Sequence, residues 1–142
     1  MRFRTVLIAA IATICMLNVA FANNPRVVAE VNRATQTMTV SVDGVVQYTW
    51  AVSTARPGHV TLPGTFTPYW LPANHYSSLY NTAPMPYSVF YSGNYAVHGT
   101  TEEHRLGGPA SAGCVRLAVA NARIFYELVQ TYGMSATRVV VL

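Results

Sequence analysis

Alternating apolar and polar residues dominate the chain directly after residue 25 and predict short β-strands there. Residues 26–31 (RVVAEV), 37–42 (TMTVSV) and 45–52 (VVQYTWAV) are rich in β-branched and aromatic residues. Asp43-Gly44 stands between the last two segments, and this dipeptide favours a tight hairpin turn whose central residues need positive φ. The pattern therefore predicts three successive strands, of which the second and third pair as a hairpin.

The middle of the chain predicts loops that separate shorter strands. Residues 53–64 form a loop segment with Gly and Pro, and residues 65–91 are aromatic and repeatedly interrupted by proline. We expect one short strand near the start of this second stretch, then a long loop, and a further strand at residues 87–91. Residues 95–98 (YAVH) predict another short strand, and a Gly-rich loop follows over residues 99–113.

Residues 118–130 (AVANARIFYELVQ) carry a helical pattern. Their apolar residues recur with helical spacing at Ile124, Phe125, Leu128 and Val129. Gly133 is suited to end this helix as its C′ residue, and residues 137–142 (TRVVVL) predict a buried final strand. The expected fold is a mostly-β domain with one helix near the C-terminus.

The first 22 residues have the layout of a secretory signal peptide. Arg2 and Arg4 give a basic start, residues 5–21 are almost wholly apolar, and alanines at positions 20 and 22 suit signal peptidase. We therefore expect residues 1–22 to be removed, which leaves residues 23–142 as the folded domain of a secreted or periplasmic protein. The apolar run is close to the roughly 18 residues of a spanning helix, so an uncleaved membrane anchor is the alternative.

Charge and hydropathy exclude two broad classes of protein. The chain has nine Lys and Arg residues, all of them Arg, against five acidic residues, which gives a net charge of +4. The arginines are scattered, and two of them leave with the signal, so the sequence does not predict nucleic-acid binding. With 51% hydrophobic and only 10% charged residues, the chain is not intrinsically disordered.

The two cysteines, Cys15 and Cys114, have different fates. Cys15 lies in the signal segment, and Ile14 stands where lipoprotein processing requires a small residue, so lipid attachment there is not favoured. Cleavage leaves Cys114 alone, and a lone thiol cannot form an internal disulfide. Cys114 is then a small buried hydrophobe, an intermolecular bridge or a nucleophile.

The segment from His98 to Arg116 (HGTTEEHRLGGPASAGCVR) concentrates the candidate chemistry. A cysteine attacks as its thiolate, and a nearby imidazole or positive charge favours that form. The loop glycines, Gly113 among them, allow tight turns that bring backbone N–H groups near a reacting carbonyl. The segment fits acyl transfer by Cys114 with His98 as its partner.

These residues resemble the signature of the L,D-transpeptidases of bacterial cell-wall synthesis, the family with the YkuD-type catalytic domain. The family has a His-Gly dipeptide, a loop and then Ser-x-Gly-Cys-Val-Arg-Leu, and this chain has His98-Gly99 and residues 111–117 (SAGCVRL). Ala112 departs from the His, Ser or Arg that is usual there. Three further segments resemble the family's Ser-Thr, Pro-x-Gly-x-Phe and Met-Pro-Tyr sequences: Ser53-Thr54, residues 62–66 (LPGTF, with Pro63 next to Gly64) and residues 85–87 (MPY). The resemblance implies an L,D-transpeptidase-like β-sandwich.

The resemblance also implies a cysteine acyl-enzyme mechanism. Cys114 would attack the carbonyl at the L-centre of diaminopimelate in a tetrapeptide stem and release the terminal D-Ala. His98 would act as general base toward the thiol and as general acid toward the leaving amine. The backbone carbonyl of Gly99 would orient the imidazole. The amine of a neighbouring stem would then resolve the thioester and complete a 3→3 cross-link.

The loop before the nucleophile would hold the oxyanion in this mechanism. The N–H groups of Gly113 and Cys114 are the implied donors, with Ala112 as a third. Ser111 either holds the loop through hydrogen bonds to the backbone or contacts substrate.

Three side chains are candidates for substrate binding. Arg116 either grips a substrate carboxylate or braces the loop against Glu102 or Glu103. Among the many aromatic residues, Tyr87 and Trp70 are the candidates for the wall of a substrate cleft.

The partners implied by the resemblance are peptidoglycan stem peptides and carbapenem-type inhibitors, with no metal and no organic cofactor. An L,D-carboxypeptidase or stem-peptide amidase of the same fold, and a non-catalytic peptidoglycan-binding module, are the alternative functions. A zinc site of Cys114, His98 and His104 has suitable ligand types but lacks the familiar close ligand pairs. His59, His75 and His104 are otherwise interpreted as solvated or loop-packing residues.

Overall fold

A computed structural model describes residues 24–142 of the chain. The predicted signal segment and Cys15 lie outside these residues. The strands, in chain order, are β1 (Val27–Asn32), β2 (Thr37–Val42), β3 (Val45–Ala51), β4 (Gly64–Phe66), β5 (Asn74–Tyr76), β6 (Pro84–Pro86), β7 (Val89–Ser92), β8 (Tyr95–Thr100), β9 (Val115–Ala118) and β10 (Thr137–Val141). The helix α1 spans Val119–Tyr132.

The larger sheet has five strands in the order β3-β2-β1-β10-β4. Its central strand β1 pairs antiparallel with β2 and parallel with β10. Val27, Ala29 and Val31 of β1 are fully buried, as the alternation of the sequence predicts. Asp43 and Gly44 have φ of +50° and +80° and join β2 to β3, which confirms the predicted hairpin.

The smaller sheet has three strands in the order β7-β8-β9, with β8 and β9 parallel. The sequence did not predict β9. The long Gly-rich loop after β8 brings this strand back beside β8. The register pairs His98 with Arg116. On one face of this pair, Val97, Val115 and Leu117 enter the main core.

The helix α1 begins one residue later and ends two residues later than the pattern predicts. Gly133 follows it with φ of +96°, and its N–H donates to the carbonyl of Val129 at 2.8 Å, which confirms the predicted helix end. Phe125 and Val129 of α1 are fully buried in a core that both sheets share. No helix among residues 24–142 is long and apolar enough to cross a membrane.

A short hairpin lies within the stretch that the sequence predicts as a long loop. Strands β5 and β6 pair antiparallel, and residues 77–83 connect them. Prolines at both ends of β6 limit its pairing, since proline cannot donate to a sheet ladder. We call β5, residues 77–83 and β6 together the lid hairpin, because this unit forms one wall of the cavity described next.

Candidate active site

One cavity holds most of the chemistry that the sequence singled out. It has a volume of about 360 Å³. The lid hairpin forms one wall, the outer face of the smaller sheet forms the floor, and the loops before and after the parallel pair close the other side. His98, Cys114 and Arg116 all line it, together with Ser111, Ala112 and Gly113. We call residues 111–114 the nucleophile loop, after the role that the sequence predicts for Cys114.

His98 is held in a defined orientation at the floor of the cavity. It is 6% exposed, and its Nδ1 lies 2.7 Å from the carbonyl oxygen of Gly99. A carbonyl only accepts, so Nδ1 carries the proton and Nε2 of the neutral ring keeps a free lone pair. The pKa of His98 is lowered to about 4, chiefly by burial; the hydrogen bond to Gly99 opposes this shift, and the charges of Arg116 and His75 add to it. The imidazole is therefore neutral at physiological pH.

Gly99 is also constrained by packing. A Cβ at this position would lie 3.1 Å from Cγ of Pro86 and 3.1 Å from Cα of Val119. The strand next to His98 therefore lies close to both the lid hairpin and the start of α1. The absence of a side chain at Gly99 permits this close approach.

Cys114 immediately precedes β9 and faces the same cavity as His98. It lies one position before the Val97–Val115 pair, so it is beside Ala96 on the face opposite to the core. Its thiol donates to the carbonyl of Asn94 at 3.6 Å. Burial raises the pKa of Cys114, partly offset by a backbone hydrogen bond from Ala96 and by the positive charge of Arg116. The resting pair is therefore a thiol and a neutral imidazole.

Ser111 fixes the backbone on both sides of Cys114. Its fully buried hydroxyl accepts from the N–H of Gly113 at 3.0 Å and donates to the carbonyl of Cys114 at 2.6 Å. The N–H of Gly113 is already bonded to Ser111 in this structure, and its expected role as an oxyanion donor stays a prediction. The donors left to consider are the N–H groups of Cys114 and Ala112.

Gly113 has a structural requirement of its own. Its φ is +143°, and a Cβ there would lie 2.9 Å from the ring of Tyr95 and 3.0 Å from the carbonyl oxygen of Val60. Any side chain would displace one of these neighbours. The carbonyl of Gly113 accepts from the buried hydroxyl of Thr61 at 2.8 Å, which ties the loop to residues 53–64.

Ser53 and Thr54 brace the nucleophile loop from behind. The backbones of Ser53 and Arg116 exchange hydrogen bonds of 2.9 and 3.0 Å. The carbonyl of Thr54 accepts from Ser111 at 2.9 Å. The Ser-Thr segment noted in the sequence is thus part of the support of the site.

Arg116 both lines the cavity and braces its rim. Its Nη1 lies 3.2 Å from a carboxylate oxygen of Glu102, and Arg105 lies 3.8 Å from the other oxygen. The sequence predicts that Arg116 either binds a substrate carboxylate or braces the loop against Glu102 or Glu103. The structure shows the contact with Glu102. Glu103 instead accepts from the N–H of Val119 at 3.2 Å, at the start of α1.

The placement of His98 and Cys114 in one cavity agrees with the comparison with known families. The sequence matches the profile of the L,D-transpeptidase catalytic domain family (YkuD) over residues 26–141. The chain belongs to this family. A comparison with curated proteins finds no significant sequence match.

Solved L,D-transpeptidases share the fold of this domain. The enzyme from Mycobacterium smegmatis has a TM-score of 0.74 and 22% identity, over 83% of this chain and 59% of that one. The one from Stackebrandtia nassauensis has a TM-score of 0.73 and 26% identity, over 85% and 57%. L,D-transpeptidase 3 from Mycobacterium tuberculosis, in complex with a faropenem-derived adduct, has a TM-score of 0.71 and 22% identity, over 82% and 60%. This chain spans about three fifths of the length of these solved chains.

Two aromatic residues expected in the cleft of this L,D-transpeptidase domain lie elsewhere. Tyr87 has φ of +53°, which interrupts the alternation after β6, and its ring packs against Tyr126 of α1 at 5.6 Å. Trp70 is 46% exposed and stacks on Phe90 at 4.8 Å from outside. Neither side chain lines the cavity, so the structure corrects both as residues of the cleft wall.

Other ring side chains of the L,D-transpeptidase domain line the cavity instead. They are His75, Tyr80, Phe90 and Tyr95. Phe90 and Tyr95 belong to β7 and β8. Tyr95 is three residues before His98, so alternation along β8 predicts the opposite face for it, and its side chain packs against the main core as well as lining the cavity. His75, expected to be solvated or loop-packing, reaches the cavity through the pairing of β5 with β6. No signal in the sequence revealed that pairing.

The histidines of the L,D-transpeptidase domain form no metal cluster with Cys114. His104 is exposed within a short 3₁₀ helix at Glu103–Arg105 and does not line the cavity. Within residues 24–142 no group of three His, Cys, Asp or Glu side chains could hold a metal ion.

Proposed function

We propose that this domain is a peptidoglycan L,D-transpeptidase that uses Cys114 as an acyl carrier. Its donor is the tetrapeptide stem, in which the carbonyl at the L-centre of diaminopimelate is attacked and D-Ala leaves. The observation that carries the proposal is the placement of Cys114 and His98 in one cavity, with Nδ1 of His98 bonded to the carbonyl of Gly99. Membership of the L,D-transpeptidase family supports the same reaction class.

The proton follows a defined route in the acylation step. Nε2 of His98 accepts the thiol proton as Sγ of Cys114 forms its bond to the carbonyl carbon. The tetrahedral oxyanion then collapses, the carbon–nitrogen bond breaks, and the imidazolium donates its proton to the leaving D-Ala amine. Because the pKa of His98 is low and that of Cys114 is raised, we expect proton transfer to accompany bond formation rather than precede it.

The second half-reaction reverses these roles. The amine of an acceptor stem attacks the thioester, His98 takes the proton that this amine loses, and the thiol of Cys114 is restored with that proton. Water in place of the amine would give a carboxypeptidase. The N–H groups of Cys114 and Ala112 are proposed to hold the oxyanion in both steps, because the N–H of Gly113 is bonded to Ser111.

Acylation by a β-lactam tests the nucleophile directly. L,D-transpeptidase 3 from Mycobacterium tuberculosis carries a faropenem-derived adduct in its solved complex, so faropenem and a carbapenem are suitable probes. Intact-mass analysis and peptide mapping should find a single adduct on Cys114. The Cys114→Ala variant should form none, and His98→Gln should slow acylation by about 10²- to 10⁴-fold. The exposed His104→Gln serves as the control and should react like the parent protein.

Incubation with tetrapeptide stems separates the candidate activities. Cross-linked dimers and released D-Ala indicate transfer, whereas trimmed monomers alone indicate the carboxypeptidase. An adduct elsewhere than Cys114, or stem binding that Cys114→Ala leaves unchanged with no turnover by the parent, would favour the non-catalytic binding module.

Export remains a separate proposal that rests on the sequence of residues 1–22. N-terminal sequencing of the protein recovered from its producing cell tests it. A mature chain that begins at residue 23 supports cleavage, and an intact N-terminus in the membrane fraction supports the anchor.

A further inference from the structure

A second imidazole, that of His75, lines the cavity that holds Cys114 and His98. His75 lies at the centre of β5, opposite Met85 in β6. Its ring meets Trp70 and Phe90 at near-perpendicular angles of 79° and 87°, with centroid distances of 5.1 and 5.2 Å. These contacts hold the ring in place through apolar surfaces, which cannot satisfy its nitrogen atoms.

Besides His75, the acidic, basic and imidazole side chains that line the cavity are Glu102, Arg116 and His98, and each already has a partner. Glu102 is bonded to Arg116 at 3.2 Å and lies 3.8 Å from Arg105. Nδ1 of His98 is bonded to the carbonyl of Gly99 at 2.7 Å, and its Nε2 is assigned to the reaction. Among residues 24–142, no protein group forms a hydrogen bond or an ion pair with the imidazole ring of His75. The cavity therefore offers one imidazole whose donor groups are free for a ligand.

We propose that His75 binds a carboxylate of the stem peptide and thereby determines which stems the enzyme accepts. This inference rests on the proposed function, because it concerns the substrate of the same cavity. A tetrapeptide stem brings two carboxylates near the bond that breaks: the side-chain carboxylate of diaminopimelate and the terminal carboxylate of D-Ala. A neutral imidazole can donate one hydrogen bond to either, and an imidazolium adds a charge-assisted bond.

The electrostatics of the cavity support this role. His75 and His98 line the same cavity, and a positive charge on His75 contributes to the lowered pKa of His98. Glu102 is the carboxylate that lines this cavity, and its ion pair with Arg116 leaves it directed at that side chain. The hydrogen-bond donors of the cavity that Glu102 does not occupy, such as the His75 ring, favour an anionic group of the substrate.

Binding of three peptides to the Cys114→Ala variant tests the proposal without turnover. The peptides are a tetrapeptide stem with free carboxylates, one amidated at the diaminopimelate side chain, and one amidated at the terminal D-Ala. Calorimetry should show that one of the two amides binds about tenfold more weakly than the free peptide. That amide identifies the carboxylate which His75 contacts.

The decisive variants are made in the same Cys114→Ala background. His75→Phe keeps a ring against Trp70 and Phe90 but has no donor, so it should bind the free stem about tenfold more weakly and no longer prefer it over the amide. His75→Gln keeps a neutral donor and should bind with intermediate affinity. His104→Gln, outside the cavity, should preserve the preference.

The possible outcomes separate this inference from the proposed function. An unchanged preference in His75→Phe and His75→Gln would overturn the role of His75 while the function stands. Failure of Cys114→Ala to bind any of the three peptides, together with no turnover by the parent protein, would overturn the substrate assignment and this inference with it. If His75→Phe does not fold, as judged by its thermal melt, the preference measured for His75→Gln decides.

Discussion

The larger sheet and the smaller sheet use the same alternation of residues for different purposes. In β1, alternate residues are buried against the core while Glu30 between them is exposed. In β8, the residues from Ala96 to Thr100 are all buried, because the core covers one face and the walls of the cavity cover the other. The second face buries His98 and lies against the partly buried Cys114 and Arg116. The candidate site therefore lies where polar side chains are covered, whereas the core of the fold lies where apolar side chains are covered.

The two regions also differ in what holds them together. The larger sheet is stabilised by apolar side chains such as Met38 and Val139, both fully buried. The nucleophile loop is held by hydroxyl groups, among them Ser111 and Thr61, whose hydrogen bonds end on backbone atoms. Substitutions in the first region should change stability, and substitutions in the second should change reactivity.

Removal of a core side chain from the larger sheet should give the largest change in stability. Met38 of β2 is fully buried, so Met38→Ala leaves a cavity and should lower the free energy of unfolding by about 2–5 kcal/mol. Urea denaturation measures this change. Val46→Ala, on the neighbouring β3 where Val46 is 60% exposed, is the control and should change the free energy by less than about 0.5 kcal/mol. Slower β-lactam acylation of folded Met38→Ala would contradict the separation of the two regions.

Protonation of His98 should make stability depend on pH. The pKa of His98 is about 4 in the folded protein, below the ordinary value of 6.5. Above pH 6.5 the His98 ring is neutral in both the folded and the unfolded protein. Its titration therefore does not reduce the free energy of unfolding in that range. Between pH 6.5 and pH 4 the unfolded chain takes up a proton that the folded protein does not, and the free energy of unfolding should fall by about 3 kcal/mol.

A matched variant isolates this effect. His98→Gln cannot titrate, so its unfolding free energy should decrease less than that of the parent protein over the same pH range. Denaturation curves at pH 7 and pH 4 provide the comparison. Parallel curves for the two proteins would show that the ring of His98 is not buried in its neutral form.

Loss of the Ser111 hydroxyl should slow acylation of Cys114, whereas loss of a buried hydroxyl in the larger sheet should not. Ser111→Ala leaves the buried carbonyl of Cys114 and the N–H of Gly113 without their partner. We expect about a tenfold slower reaction with faropenem, because the nucleophile loop loses its fixed geometry. Thr137→Val removes a buried hydroxyl bonded to Gly133 at 2.9 Å in the larger sheet, and its acylation rate should match the parent. Equal slowing in both variants would indicate a general effect of destabilisation.

The sequence predicted the fold best where the interactions are local. The alternation in β1 to β3, the Asp43-Gly44 turn and the apolar stripe of α1 each depend on nearby residues, and the structure confirms them. Strand β9 was missed because its partner β8 lies across a long loop, and four residues are too few to show a period. The lid hairpin was missed because the prolines around Met85 are typical of loops.

The candidate site follows the same rule. The His98-Gly99 dipeptide and the residues before Cys114 form contiguous motifs, and the fold brings these motifs to one cavity. The position of His75 depends on strand pairing, and the direction of Tyr87 depends on one residue with positive φ. A sequence pattern specifies neither of these, so only the structure shows which side chains form the walls of the cleft.

Tyr91 provides the smallest and most specific test of the comparison. It is 3% exposed beneath the smaller sheet, and among residues 24–142 its hydroxyl is the one buried side-chain polar atom without a hydrogen-bond partner. Burial raises the pKa of Tyr91, and the nearby Cys114 adds to this effect. Tyr91→Phe removes a hydroxyl that gains nothing from burial, so the free energy of unfolding should stay the same or rise by up to about 1 kcal/mol.

Tyr126→Phe is the matched control for this test. The hydroxyl of Tyr126 donates to the carbonyl of Leu71 at 2.7 Å, so its removal should lower the free energy of unfolding by about 1 kcal/mol. Urea denaturation of the two variants at the same pH measures the difference. A loss of stability in Tyr91→Phe as large as that in Tyr126→Phe would mean that the Tyr91 hydroxyl is bonded in solution. The smaller sheet would then have a hydrogen-bonded polar group on its core face as well as on the face that lines the cavity. The two faces would no longer differ in the kind of interaction that holds them.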